Sequence, residues 1–165
     1  MRSSKPNGSQ HLYLIALGSN MRVPGVGGPR RVLQTVRADI ERAGLHLESF
    51  SPIIRSRPIG PSQREYANAA AVVACADEPR QVLLKLQGIE SEYRRRRTGA
   101  PWRRRQLDLD IILWSGGAWA SPDLVIPHPL FRQRGFVLQP AATVAPGWRD
   151  PLTGLTLRQL AARGS

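Results

Sequence analysis

Cysteine is nearly absent from this 165-residue chain: Cys75 stands alone. One thiol excludes an intramolecular disulfide framework and a cysteine-based zinc cluster. Long apolar runs are missing too, and no stretch approaches the ~18–20 residues that cross a bilayer as a helix. The segment from Met1 to Gln10 is polar, without the apolar core of a secretory signal. Lysine occurs only at Lys5 and Lys85. No G-x-x-x-x-G-K-[ST] occurs, and no G-x-G-x-x-G opens a helix. P-loop and protein-kinase folds are thereby set aside, while phosphoryl chemistry stays open. The 15 Gly and 14 Pro are too few for a collagenous or low-complexity chain. The expectation is a cytoplasmic protein with a disordered leader over residues 1–10 and a single domain over 11–165.

Charge is what the chain has in excess. Lys plus Arg number 24 against 12 Asp plus Glu, a net charge of +12, and all but two of the basic residues are Arg. Such a surface attracts polyanions, and guanidinium adds planar, bidentate recognition of phosphate. Scattered residues such as Arg31, Arg42, Arg158 and Arg163 read as solvated charge. The segment Arg94 to Arg105 is different: it holds seven Arg in twelve positions and no acid.

Strand-like and helix-like stretches alternate irregularly. Leu12–Leu17 is a β-prone apolar run ending in the turn Gly18-Ser19-Asn20. Met21–Pro29 reads as a loop. A helix follows from Pro29 to about Ala43, with Val32, Val36 and Ile40 as its stripe and Gly44 as its stop. Leu45–Arg57 and Ala67–Ala76 read as strands. Asp77 reads as the N-cap of a helix running to about Arg95, with Val82, Leu83, Leu86 and Ile89 inward. Gln106–Trp114 is a further strand, Pro127-His128-Pro129 a rigid elbow, and Leu130–Ala142 helical in part. Thr156 suits the cap of a short terminal helix. The pattern predicts an α+β sandwich, with helices covering a mostly antiparallel sheet.

The sharpest chemical signal is Leu107-Asp108-Leu109-Asp110-Ile111. On a strand, alternate side chains share a face, so the apolar residues point into the core and the two acids point together the other way. Their Cα atoms then lie roughly 6.5–7 Å apart. Like charges at that spacing repel unless a cation joins them. Mg²⁺ suits them, since it takes one or two carboxylates and completes its shell with water and phosphate. Alternate acids on a solvated edge strand are the plainer reading of D-x-D alone; seven arginines just upstream favour a metal–polyphosphate site. His128 sits on constrained backbone between two prolines, as a phosphate contact, an acid or a structural His. Tyr66 and Asn68 share a face if extended, placing a flat ring beside an amide that reads a heterocycle edge. Phe136 and Trp102 are further candidate aromatics. Cys75 reads as a small core residue.

These motifs resemble, in order and spacing, those of the 6-hydroxymethyl-7,8-dihydropterin pyrophosphokinases. They are Ala16-Leu17-Gly18-Ser19-Asn20, Gly60-Pro61, Tyr66-Ala67-Asn68-Ala69-Ala70, Arg105-x-x-Asp108-Leu109-Asp110-Ile111, Ile126-Pro127-His128-Pro129 and Arg134-Gly135-Phe136. The resemblance covers about residues 12–160. It implies a ferredoxin-like three-layer α+β sandwich and a monomer without obligate nucleic-acid or membrane partners. It implies two Mg²⁺ ions and transfer of pyrophosphate from ATP to the pterin hydroxymethyl group, releasing AMP, in folate biosynthesis. It makes Asp108 and Asp110 the metal-bridging acids. Tyr66 and Phe136 become the pair that sandwiches the pterin, with Asn68 as its hydrogen-bonding partner and the backbone around Ser56 and Ile59 at the ring edge. Gln87, Glu90, Arg97, Ile111, His128 and Arg134 resemble the ATP-binding set. Arg95 and Arg105 resemble the arginines that close over the phosphates, and Trp102 the aromatic that seals the site. The chain departs from the family at Arg94, Arg103 and Arg104, which add positive charge to that segment.

Three other readings remain at this point. A basic RNA-binding module accounts for the charge but not for Asp108 and Asp110. A nucleotidyltransferase would use the same acids and release pyrophosphate. An inactive relative would keep the fold and bind without turnover.

Overall fold

A computed structural model describes residues 10–20, 22–56, 66–95 and 107–164. The elements run β1 (His11–Ser19), α1 (Pro29–Arg42), β2 (His46–Phe50), β3 (Ile54–Ser56), β4 (Tyr66–Cys75), α2 (Pro79–Arg95), β5 (Asp108–Trp114), β6 (Trp119–Ser121) and β7 (Leu124–Ile126). A 3₁₀ turn (Phe131–Gln133), α3 (Gly135–Val144) and α4 (Leu157–Arg163) follow. The main sheet has the order β2-β4-β1-β5, with β3 also paired to β4, and every pairing is antiparallel. β6 and β7 form a separate hairpin. The expected α+β architecture is what the chain forms.

The two central strands are buried on both faces, which is why they read as unbroken apolar runs rather than alternating ones. Tyr13, Ile15 and Leu17 of β1 and Ala67, Ala69, Ala71 and Val73 of β4 join one core. Val32, Leu33, Val36 and Ile40 of α1 and Val82, Leu86, Ile89 and Tyr93 of α2 close it. The residues between them in sequence, Leu14 and Ala16 with Ala70 and Val72, join a second core under α3 and α4. The molecule is thus three layers: α1 and α2, the sheet, and α3 and α4. No described helix is long and apolar enough to cross a membrane.

Local rules place most boundaries. Pro29 opens α1, Arg42 ends it, and Gly44 follows at φ +86°, a conformation favouring glycine. Thr156 and Gln159 cap α4 reciprocally, in a full capping box. Two expectations are corrected. Leu45–Arg57 is not one strand but two, β2 and β3, separated at 51–53. There Pro52 lacks a ladder donor, and buried Ser51 bonds back to Ala70 through both its N–H and its hydroxyl oxygen. Asp77 does not cap α2. Its carboxylate takes Lys85 Nζ at 2.5 Å, while the Gln81 side chain accepts the Glu78 N–H. That ion pair commits the Lys85 ammonium to Asp77.

Candidate active site

The second face of the sheet is covered only in part. Toward the middle, Leu14, Val72, Ile112 and Leu113 lie beneath Val137, Leu138 and Leu160. At the other end the strand register aligns a different set. Gly18 pairs with Asn68 on one side and Asp108 on the other, and one step along Ala16 pairs with Ala70 and Asp110. Strand alternation puts Asn68, Asp108 and Asp110 on this face, since Ala67, Ala69, Leu109 and Ile111 all enter the opposite core. The prediction that the two acids point together, away from their apolar neighbours, is met.

Small residues make the room. A Cβ at position 18 would lie 3.2 Å from Asn68 Oδ1, so glycine there leaves space between the buried amide and the acid. Asn68 is 7% exposed, and Asp108 and Asp110 are half-buried. The two carboxylates share one partly covered face of β5, and like charges this close repel. A hard cation removes that cost, and two carboxylates leaving the remaining coordination to water and phosphate are the donor set that Mg²⁺ takes. The residues present fit that ion.

A bulge aims the next group. Leu14 pairs with Leu113 and Ile15 with Ile111, which leaves Ile112 as an extra residue in β5. Its carbonyl accepts the His128 N–H at 3.0 Å. The His128 ring is fixed in turn, because Nδ1 accepts the Leu130 N–H at 3.1 Å. Burial lowers the His128 pKa; Asp110 pulls it up and Arg134 pushes it down again. The imidazole is therefore held toward its neutral form, with its proton on Nε2. Arg134 precedes α3 as its N-cap residue, and its guanidinium lies 5.8 Å from the Phe136 ring centre. β5, the 127–129 elbow and the start of α3 thus converge on one electrostatic cluster of Asp110, His128 and Arg134.

Both predicted pterin aromatics are unusually open for their size: Tyr66 is 41% exposed and Phe136 45%. Tyr66 begins β4 opposite Ser56, two residues before Asn68 on the same face. Of the predicted nucleotide contacts, Gln87 is exposed on α2, and Glu90 on the same helix accepts the Leu109 N–H at 3.4 Å. Ile111 buries its side chain in the first core, leaving only its main chain to a nucleotide. Arg95 ends α2, exposed and 3.4 Å from Glu92. Ile59, Arg97, Trp102 and Arg105 lie outside the described residues, as does most of the arginine-rich segment. Gly18 is the residue whose contribution sequence reasoning missed; its signal was its place in the Gly-Ser-Asn turn, but its two cross-strand partners are remote in sequence.

Fold and site together define an enzyme whose acidic and basic groups meet at the open end of an antiparallel sheet, with exposed aromatics beside them. Residues 14–146 match the family model described as 7,8-dihydro-6-hydroxymethylpterin-pyrophosphokinase. The chain is 36% identical over 154 residues to a Synechocystis sp. protein named 2-amino-4-hydroxy-6-hydroxymethyldihydropteridine pyrophosphokinase, covering 91% of this chain and 74% of that one. It is 37% identical over 144 residues to a Pseudomonas aeruginosa protein of the same name, covering 86% and 85%. In fold it is similar to a Plasmodium falciparum HPPK-DHPS chain, at TM-score 0.70 and 13% identity, over 96% of this chain and 45% of that longer one. The chain belongs to the 7,8-dihydro-6-hydroxymethylpterin-pyrophosphokinase family. It is an enzyme of that family, a transferase acting on a pterin.

Proposed function

We propose that the chain transfers a diphosphoryl group from ATP to 6-hydroxymethyl-7,8-dihydropterin, with Mg²⁺, giving AMP and the pterin diphosphate for folate biosynthesis. The observation that carries this reading is the row Asn68–Gly18–Asp108, with Asp110 one step away. It sets a heterocycle-reading amide and a metal-ready acid pair on either side of a glycine. Tyr66 and Phe136 stack on the pterin ring, and Asn68 hydrogen-bonds its edge, joined by main chain near Ser56 and Ile59.

Asp108 and Asp110 would hold Mg²⁺, two ions in this reading. Held by these two acids, such a metal would supply neutralisation of phosphate charge and a lower pKa for the attacking hydroxyl. His128 donates from Nε2 to a phosphate oxygen, and Arg134 adds a guanidinium clamp. Glu90 holds the Leu109 N–H at the β5 edge, and Gln87 and the Ile111 main chain border the nucleotide. Arg95, Arg97 and Arg105 supply further positive charge, and Trp102 excludes water. The hydroxymethyl oxygen forms a bond to the β-phosphorus as that atom's bond to the bridging oxygen breaks. The hydroxyl proton leaves to solvent, and AMP carries away the electron pair. Positioning and charge neutralisation dominate such a step. The enzyme works as a cytoplasmic monomer, with residues 11–165 as its one domain.

The test is to incubate the protein with ATP, Mg²⁺ and the pterin, then identify the nucleotide released. AMP formed only with pterin, and lost in Asp108→Ala and Asp110→Ala, is the expected result. ADP as product, or no pterin-dependent turnover, overturns the assignment.

A further inference from the structure

One acid outside the site is closed to solvent and to any substrate. Asp150, in the loop before α4, is fully buried. Arg132 grips both its oxygens, Nε at 2.6 Å and Nη2 at 2.7 Å. Thr153 Oγ1 donates to the same carboxylate at 2.7 Å and the Leu152 N–H at 3.0 Å. The loop folds around this residue: the Asp150 N–H bonds the Leu155 carbonyl and the Gly154 N–H the Asp150 carbonyl, both at 2.8 Å. A buried ion pair gains little stability over well-packed apolar side chains. What a bidentate guanidinium adds is a fixed position and orientation.

Arg132 stands in the middle of the 3₁₀ turn, between two groups of the phosphate cluster. Upstream, the Phe131 N–H bonds the His128 carbonyl at 3.4 Å, and the Leu130 N–H bonds the His128 ring. Downstream, the Arg134 N–H bonds the Phe131 carbonyl at 3.2 Å. The Arg134 carbonyl then takes the N–H groups of Val137 and Leu138 at 2.9 Å, starting the helix that carries Phe136. These short turns link His128 to Phe136, but Pro129, Leu130, Gln133 and Gly135 are exposed along them. Turns of this kind open easily unless tied down. Two ties are present. The Phe131 ring is buried in the second core, with the Arg132 guanidinium 4.7 Å from its centre, and the Asp150 pair fixes that guanidinium to the α4 loop.

We infer that Arg132 and Asp150 are positioning residues for the transfer reaction: their ion pair holds segment 128–136 so that His128 and Arg134 meet phosphate while Phe136 meets the pterin. The inference rests on the roles proposed above for those three residues. Neither Arg132 nor Asp150 touches a substrate. Without the pair the segment samples other conformations, and each ligand's affinity falls by the fraction that stays competent. The first ligand to bind orders the segment for the second. The loss therefore shows for one ligand alone and vanishes when the other is present.

The experiment measures pterin affinity by calorimetry on the full chain, first with pterin alone. It is then repeated with saturating Mg²⁺ and α,β-methylene-ATP, whose α–β bridge cannot be cleaved. Arg132→Met/Asp150→Asn removes both charges and leaves an amide for the Leu152 N–H. It should bind pterin alone about tenfold more weakly than the parent, and within about twofold of it when the nucleotide analogue is present. Arg132→Lys keeps the charge but not the fork. It should lose about threefold in the same pattern, and it carries the test if the double variant does not fold. Leu86→Ala, which loosens the other core, should match the parent under both conditions. A parent-like affinity for pterin alone in both pair variants overturns the inference. So does an equal loss with and without the analogue, or the same loss in Leu86→Ala. A parent that binds no pterin overturns the catalytic reading, and this inference with it.

Discussion

The two faces of one sheet do different work. On the α1–α2 face, Tyr13, Ile15 and Leu17 of β1, Ala67, Ala69, Ala71 and Val73 of β4, and Leu109 and Ile111 of β5 are apolar and buried in one core. On the α3–α4 face, the same strands are apolar only toward the middle and then give way to Asn68, Gly18, Asp108 and Asp110. Strand periodicity lets one chain segment serve both purposes, because Leu109 is committed to stability while its two neighbours are released to chemistry. Residues that bind charge are poor contributors to folding, and here they are kept off the continuous core.

The largest test of that division is Asp108→Asn. It should lower kcat by on the order of 10³-fold, since it removes half of the metal-binding pair. Unfolding in urea should show stability unchanged or slightly raised, because one of two like charges is gone. A marked loss of stability would mean that the acids support the fold as well.

Leu86→Ala is the converse. Leu86 is fully buried in the α1–α2 core. Its truncation should cost about 3 kcal/mol by chemical denaturation, while activity per folded molecule is kept. If activity fell in step with stability, the faces would not be separable.

The open face has its own anchor, and pH reads it. Asp150 is 0% exposed and takes two hydrogen bonds from Arg132, at 2.6 and 2.7 Å, with others from Thr153 and the Leu152 N–H. Burial pushes the carboxyl pKa up, but those bonds outweigh it and bring it from 3.8 to about 2. A carboxyl lowered in the fold adds stability above its unfolded pKa, and that stability is lost as pH falls toward the folded value. Up to about 2 kcal/mol should disappear between pH 3.8 and 2. Unfolding free energies of the parent and Asp150→Asn should converge over this window. His128, held neutral, weakens the fold below its ordinary pKa of 6.5, and this higher window is common to both proteins. A parallel offset persisting to pH 2 would refute the Asp150 account.

How far the sequence revealed these features depends on the range of the interaction. The acid pair at Asp108 and Asp110 was legible because it depends on a two-residue period inside one strand. The α1 stripe and the α4 cap depend on three- and four-residue spacings and were equally legible. Gly18 was not, because its importance comes from facing Asn68 and Asp108, which lie 50 and 90 residues along the chain. Asp77 misled for a related reason. Its position before Pro79 has the look of a helix cap, but Lys85, two turns on, claims the carboxylate. The break between β2 and β3 follows from the Ser51–Ala70 bonds, again a pairing that no local pattern contains.

The smallest effect separates covering from catalysis most cleanly. Thr156 Oγ1 accepts the Gln159 N–H at 3.2 Å, and the Gln159 side chain returns the bond at 2.9 Å to the Thr156 N–H. The helix they start supplies Leu157, Leu160 and Ala161 to the second core, away from the acids. Thr156→Ala leaves those donors to water and should cost about 1 kcal/mol. Because α4 meets only the apolar part of this face, kcat and the pterin KM should both hold. A shift in KM without loss of stability would mean that α4 positions α3, and with it Phe136, rather than merely covering the sheet. The capping variant would then report on the site, and the boundary between the covered and open parts of this face would lie beyond α3.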